Sequence, residues 1–175
     1  MKPGDVLIFG DECCIQSVPT RIRMWALKGH TPTILSPGGR EKQSIIATVE
    51  PKTGVVTSGL IPNLTATVFL AFLKFVLLRY AHARKVYLAV DNIRSHHAKL
   101  LKPFLKSVAR KLELIFLPPY SPELNPTEDY WKLLREKCTH DTYYEHFTDK
   151  IAETRKFLVK CKTPSAEVRS RCNYK

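Results

Sequence analysis

Lys85-Val-Tyr-Leu-Ala-Val-Asp91 is a short apolar run closed by a carboxylate, and its reading decides the fold. A continuous apolar stretch of this length, rich in β-branched residues, marks a strand buried in a sheet. Two other stretches have the same shape. Val6-Leu-Ile-Phe-Gly runs into Asp11-Glu12, and Leu112-Glu-Leu-Ile-Phe-Leu117 runs into Pro118-Pro. Between the first stretch and Lys85, Ser36-Pro-Gly-Gly-Arg reads as a turn and Gln43-Ser-Ile-Ile-Ala-Thr-Val as a strand. Pro51-Lys-Thr-Gly is a second turn, with Val55 to Leu60 returning beside it. Arg23-Met-Trp-Ala and Thr31 to Leu35 are weaker strand candidates. The first third of the chain is therefore a run of adjacent, antiparallel strands.

Helical periodicity appears between and after the later strands. Asn63 to about Ala83 has helix length, with Asn63 or Thr65 as N-cap. Ser95 to about Arg110 is predicted helical, with Leu100, Leu101, Phe104, Leu105 and Val108 on one face. The loop from Pro118 is stiffened by prolines, and Pro126 suits the first turn of a following helix, whose buried face is marked by Trp131, Leu134 and Cys138. A last helix is predicted from about Thr148 to Cys161. Strands first, then helices alternating with strands, describe an α/β fold: a mixed sheet flanked by helices. A chain of 175 residues fits one core. Residues 1–162 are expected to form the domain and 163–175 a basic, flexible C-terminal tail.

The charge balance narrows the class of partner. Lys and Arg number 28 against 16 Asp and Glu, a formal +12, which favours a polyanion because each neutralised phosphate releases counterions. An apolar content of 44% argues against global disorder. Five cysteines, with no Cys-x-x-Cys pair, suggest neither a disulfide framework nor a zinc site. Reduced thiols point to an intracellular, cytoplasmic protein. Leu64 to Tyr80 is strongly apolar but interrupted by Lys74, and it falls short of the roughly 20 apolar residues a membrane span needs. The N-terminus lacks the shape of a signal peptide.

Three acids stand out in this basic chain. Asp11 and Asp91 each close an apolar strand, and ligands collect in the crevice beyond the carboxyl ends of strands. Glu128 lies near the start of the helix after Asn125-Pro126. Parallel neighbouring strands would carry the first two carboxylates into one crevice, and a ribonuclease-H-like sheet would bring Glu128 to it. Three carboxylates suit hard divalent cations in phosphodiester chemistry. Each acid also has a structural alternative. Asp11 reads as a strand-end turn residue, Asp91-Asn92 as a turn pair, and Glu128 as the third helical residue of a capping box on Asn125. Glu123, Asp129 and Glu136 are rivals to Glu128. His96 and His97 are candidates to line the active site or contact phosphate, with an exposed helical face the favoured reading. Lys99, Lys102, Lys106, Arg110 and Lys111 form a basic helix face, and Arg21, Arg23, Lys28, Arg40 and Lys42 flank the first hairpins. Tyr120 and Trp131 are expected to pack rather than stack on bases.

Val90-Asp91-Asn92-Ile-Arg-Ser-His96-His97-Ala98, followed by Leu117-Pro-Pro-Tyr-Ser-Pro-Glu-Leu-Asn-Pro-Thr-Glu128-Asp-Tyr-Trp131, resembles the catalytic core of DDE transposases. The similarity is to the bacterial insertion-sequence branch related to the mariner superfamily. Thirty-six residues separate Asp91 from Glu128, close to the spacing typical of that group. Trp25-Ala-Leu-Lys-Gly-His-Thr-Pro32 resembles the segment such enzymes carry after the first aspartate. The resemblance runs from Asp11 to about Glu145. It implies a ribonuclease-H-like fold, with Asp11, Asp91 and Glu128 as catalytic residues and as ligands for Mg²⁺, or Mn²⁺ in its place, bound as two ions. It implies cleavage and strand transfer in cut-and-paste transposition, with transposon ends and target DNA as partners and a homodimer on DNA. Members of the family carry N-terminal helix-turn-helix domains, whereas this sequence begins about ten residues before Asp11. A fragment, or a product of a split gene working with a separately encoded helix-turn-helix subunit, is the corresponding expectation. A metal-dependent endonuclease without strand transfer is the alternative on the same fold, and an inactive DNA-binding remnant is a third.

Overall fold

Alternation along the central strands determines how the chain layers. In the computed structural model, which describes residues 1–20, 25–30, 33, 35–119 and 121–173, five strands form one sheet. They are β1 (Asp5–Gln16), β2 (Lys42–Glu50), β3 (Val55–Ile61), β4 (Lys85–Val90) and β5 (Leu112–Phe116), in the order β3-β2-β1-β4-β5. β1 runs antiparallel to β2 and β2 to β3, whereas β1 with β4 and β4 with β5 are parallel. The antiparallel strands expected in the first third and the parallel pair expected at the centre are both present.

Both faces of the sheet are covered. Successive residues of β2 point to opposite sides, so Ile46 joins a core with Phe69, Leu73 and Val76 of α1 (Ala66–Arg79) and Leu101 of α2 (Leu101–Ser107). Ile45, Ala47 and Val49 join a second core with Tyr130, Trp131, Leu133 and Leu134 of α3 (Thr127–Cys138), Leu158 of α4 (Phe147–Lys160) and Val168 of α5 (Ala166–Arg171). Gly10 is placed where a side chain would crowd: a Cβ there would lie 3.1 Å from Leu88 and 3.3 Å from Val90.

Four expectations are corrected. β1 continues through Asp11 to Gln16, because its pairing with β2 runs from Phe9 to Gln16 and outlasts its pairing with β4, which ends at Phe9. Asp11 therefore lies within a strand, at the point where the parallel neighbour stops. The helix expected from Ser95 begins only at Leu101, and residues 94–97 are turns. Pro103 explains this: it is tolerated in a first turn, whereas a helix begun at Ser95 would drive its ring against the Lys99 carbonyl. The segment expected as a flexible tail contains α5, capped by the Ser165 hydroxyl accepting from Val168 N–H, with Val168 and Cys172 buried. Of the weaker strand candidates, Trp25, Ala26, Thr33 and Leu35 are not in strands, and Arg23, Met24, Thr31, Pro32 and Ile34 lie outside the described residues. No helix among the described residues is long and apolar enough to cross a membrane.

Candidate active site

Three separate elements deliver carboxylates to one cleft of about 410 Å³, lined by Asp11, Asp91 and Glu128 together with Asn92, Asn125 and residues of the 117–122 loop. Asp11 comes from β1 and pairs across the sheet with Ala47, which places it on the α3 face. Asp91 is the first residue beyond β4. Glu128 occupies the first turn of α3.

The loop that carries Glu128 is stitched to the central strand. The Thr127 hydroxyl donates to the Phe9 carbonyl at 3.1 Å, and the buried Asn125 amide donates to the Gly10 carbonyl at 3.4 Å. Asn125 Oδ1 accepts from Thr127 N–H at 3.1 Å, and the Asn125 N–H donates to the Pro122 carbonyl at 3.0 Å. That second bond decides the capping-box alternative, because the N–H that a Glu128 side chain would have to receive is already engaged. The rivals are occupied elsewhere or outside the cleft. Asp129 pairs with Lys132 at 2.8 Å, Glu136 with Arg171 at 2.7 Å, and Glu123 is exposed on the 3₁₀ turn Pro122–Leu124.

Trp131 does more than pack. Its ring is 1% exposed, and its indole N–H donates to Asp11 Oδ2 at 3.0 Å. Burial pushes the Asp11 carboxyl up to about 6; the Glu12 backbone and Trp131 hydrogen bonds oppose this, and the charges of Glu128 and Asp91 add to it. Glu12 is pushed up to about 7, first by burial and then by the charges of Asp11 and Asp91. A group of acids set this close in partial burial is costly to ionise without a cation.

The sequence reading missed two members of the site. Glu12, Asp91 and His96 each place a ligand atom within 4.8 Å of the other two. His96, expected on an exposed face, is instead 3% exposed, with its ring against Phe69. The reason is the missing helical turn: residues 94–97 form turns closed by the His96 and His97 N–H groups on the Ile93 and Arg94 carbonyls, and the His96 ring packs inward against α1. Glu12 was within reach of the same reasoning, since the residue after Asp11 in a pleated strand must face the opposite side. His97 is exposed as expected, stacked on Phe116 with centroids 4.2 Å apart. Lys111 leaves the proposed basic face and donates instead to the Ala81 and Ala83 carbonyls. Lys99, Lys102, Lys106 and Arg110 are exposed, as are Lys28, Arg40 and Lys42; Arg21, Arg23 and Tyr120 lie outside the described residues.

A five-stranded mixed sheet of this order, flanked by helices, is the ribonuclease-H-like architecture of transposase catalytic domains. The chain belongs to the DDE superfamily endonuclease family, matched over residues 6–149. A curated relative, the "Insertion element IS630 uncharacterized 39 kDa protein" of Shigella sonnei, is 26% identical over 152 residues, covering 87% of this chain and 44% of that protein. The fold is similar to that of the Mos1 transposase in its paired-end complex with the left transposon end, with a TM-score of 0.71 at 18% identity, covering 95% of this chain and 50% of the other. The mariner Mos1 paired-end complex with Mg gives a TM-score of 0.67 at 18% identity, covering 95% and 53%. The chain thus spans about half the length of the relatives it matches. Membership of the family implies use of a divalent metal.

Proposed function

We propose that this chain is the catalytic domain of a transposase that cleaves DNA strands and transfers them to target DNA, with Asp11, Asp91 and Glu128 as the metal ligands. The observation that carries the reading is the convergence of these three carboxylates, from β1, the end of β4 and the start of α3, on one cleft.

The donor set fits a hard divalent cation: the three acids offer oxygen ligands, and burial, with the charges of Glu128 and Asp91, makes Asp11 costly to ionise, a cost that a cation would offset. Two Mg²⁺ ions, or Mn²⁺ in their place, would supply activation of a water or a DNA 3′-hydroxyl and stabilisation of the leaving oxygen. The chain's own residues orient the site. The Trp131 N–H holds Asp11, the Asn125 and Thr127 bonds to β1 hold the root of Glu128, and the Asn92 amide ties the Asp91 segment to the Leu117 carbonyl. An acidic cleft in a chain of net charge +12 separates the two tasks of gathering cations and binding a phosphate backbone. Water attack at an element's end frees a 3′-hydroxyl, and that hydroxyl then attacks target DNA, so that two in-line phosphoryl transfers use one site in turn. The paired-end state of the Mos1 relative supports transposon ends as substrate and a homodimer as the working form. A separately encoded helix-turn-helix subunit would supply recognition of the ends, and the working compartment would be the nucleoid.

Nicking of supercoiled plasmid in Mg²⁺ or Mn²⁺ tests this, with Asp11→Asn, Asp91→Asn and Glu128→Gln beside the wild type and a labelled 3′-hydroxyl oligonucleotide present to report joining. Metal-dependent nicking and joining lost in all three variants is the expected result. Nicking without joining would reduce the activity to that of an endonuclease. Equal nicking by wild type and variants would overturn the site.

A further inference from the structure

The turn that follows Asp91 contains a buried imidazole that the chemistry above does not use. His96 Nδ1 lies 3.1 Å from the Asp91 carbonyl oxygen and 3.0 Å from Asp91 Oδ1. The carbonyl only accepts, so Nδ1 carries the hydrogen and donates to the main chain of Asp91, while Oδ1 beside it is buried without a hydrogen-bond partner. The ring is fixed in turn: it is 3% exposed, its centroid lies 4.1 Å from that of Phe69, and its own backbone N–H donates to the Ile93 carbonyl at 3.1 Å.

Asp91 needs such a partner. It lies one residue past the last residue of β4, in a stretch with no helix or strand of its own, and its carboxylate is 41% exposed. The sheet's hydrogen-bond ladder therefore fixes where its Cα lies but not how its carboxylate turns. On the other flank, Asn92 is tied to the Leu117 carbonyl and lies 3.3 Å from His97 Nε2, so the stretch is braced from both sides. Glu12 closes the group from β1, with a carboxylate oxygen, Oε2, that is buried without a hydrogen-bond partner. An N–H donor beside two carboxylates offsets part of their mutual repulsion.

We propose that His96 is a positioning residue for Asp91: its Nδ1–H holds the Asp91 main chain, and the buried ring against Oδ1 sets how the residue presents its carboxylate to the cleft that Asp91 lines. This rests on the reading of Asp91 as a metal ligand. Metal-ligating residues are oriented by outer hydrogen bonds, and loss of such a partner typically costs about 10–100-fold in metal affinity. A histidine that merely filled the core would leave metal affinity unchanged when replaced by an apolar residue of similar size.

The test is binding of Mn²⁺ alone to the purified protein, followed by the loss of the free-ion electron paramagnetic resonance signal, with melting temperature as the control for folding. His96→Leu fills the space without a donor. His96→Asn returns an N–H near the place of Nδ1, and His96→Gln carries its amide one bond farther out. Mn²⁺ binding is expected to weaken about 10–100-fold in His96→Leu and to recover in His96→Asn but not in His96→Gln. Plasmid nicking should shift to higher Mn²⁺ by the same factor. Wild-type affinity in a folded His96→Leu would overturn the proposal. If His96→Leu does not fold, equal affinity in His96→Asn and His96→Gln would overturn it instead. Asp91→Asn separates this inference from the reading beneath it. Unchanged Mn²⁺ binding in Asp91→Asn removes Asp91 as a ligand and His96 with it. Binding lost in Asp91→Asn but kept in His96→Leu removes only the role of His96.

Discussion

Asp11→Asn is expected to stabilise the metal-free protein at neutral pH while abolishing the proposed nuclease activity. Burial holds the Asp11 carboxyl at about 6 against an ordinary 3.8. A shift of that size corresponds to about 3 kcal/mol, at about 1.4 kcal/mol per pH unit. The cleft is open to water, so screening reduces the effect to about 1–3 kcal/mol. The direction follows from the raised value. The folded protein binds this proton more tightly than the unfolded chain does, so the contribution is fully present below about pH 4 and is lost as pH rises through about 6. Asparagine has the same shape, keeps an oxygen for the Trp131 N–H and carries no charge. Its removal of charge also relieves Glu12, which the Asp11 carboxylate helps to push up to about 7. At about 2–4 °C per kcal/mol for a domain of this size, the gain is about 3–10 °C. Differential scanning fluorimetry in EDTA at pH 7.5 and pH 4 measures it: the variant should melt higher at the first pH and together with wild type at the second. Mg²⁺ should then raise the wild-type Tm and leave the variant unmoved, since a ligand stabilises only the state that binds it. A variant that melts at or below wild type at pH 7.5, or gains equally at both pH values, would refute the argument.

Trp131→Phe keeps an aromatic ring but removes the N–H donated to Asp11 at 3.0 Å, and urea unfolding is expected to show a loss of about 1–3 kcal/mol, as for other hydrogen bonds to charged groups. At Gly54, φ is +72° and a Cβ would lie 2.1 Å from the Ser165 carbonyl oxygen. Gly54→Ala is therefore expected to lower stability by more than about 2 kcal/mol and to release α5, read as faster proteolysis after residue 160. Lys150 is buried, and its Nζ donates to the Gln16 and Ser17 carbonyls, each at 2.9 Å. Lys150→Met should cost about 2–3 kcal/mol by orphaning those carbonyls, measured by chemical denaturation, and its failure to do so would show that water replaces the ammonium.

The parts of the fold legible in the sequence are those where burial and periodicity coincide. β4 is a near-continuous apolar run because helices cover both faces of the sheet at its centre, and α1 announces itself through Thr65, whose hydroxyl accepts from Val68 N–H. What was not legible depended on contacts between distant segments. The end of β1 is set by its partner β2 rather than by any local signal, so the acid pair Asp11-Glu12 reads as a terminus when it is the interior of a strand. Pro103 contained the information that shortens α2, but the apolar face Leu101, Phe104, Leu105 and Val108 outweighed it. α5 is held by Val168 and Cys172 in the second core, and nothing within six residues could reveal that.

The same pairing explains how two adjacent acids serve one site from two sides. Consecutive residues of a strand face opposite ways, and the cross-strand partners show which: Asp11 pairs with Ala47 of the α3 core and Glu12 with Ile46 of the α1 core. Asp11 is accordingly met by Trp131 from α3, while Glu12 lies with His96, whose ring rests on Phe69 of α1. A carboxylate confined to the sheet could belong to only one of these groups. Asp91 escapes that restriction because β4 ends at Val90, and its neighbour β1 has by then turned to β2 for its hydrogen bonds. Standing just past the strand end, Asp91 lines the cleft with Asp11 and Glu128 on one side and touches His96 on the other. One residue of added strand would place Asp91 on a single face and divide the group. The length of β4 therefore matters to the site as much as the identity of the acid that follows it.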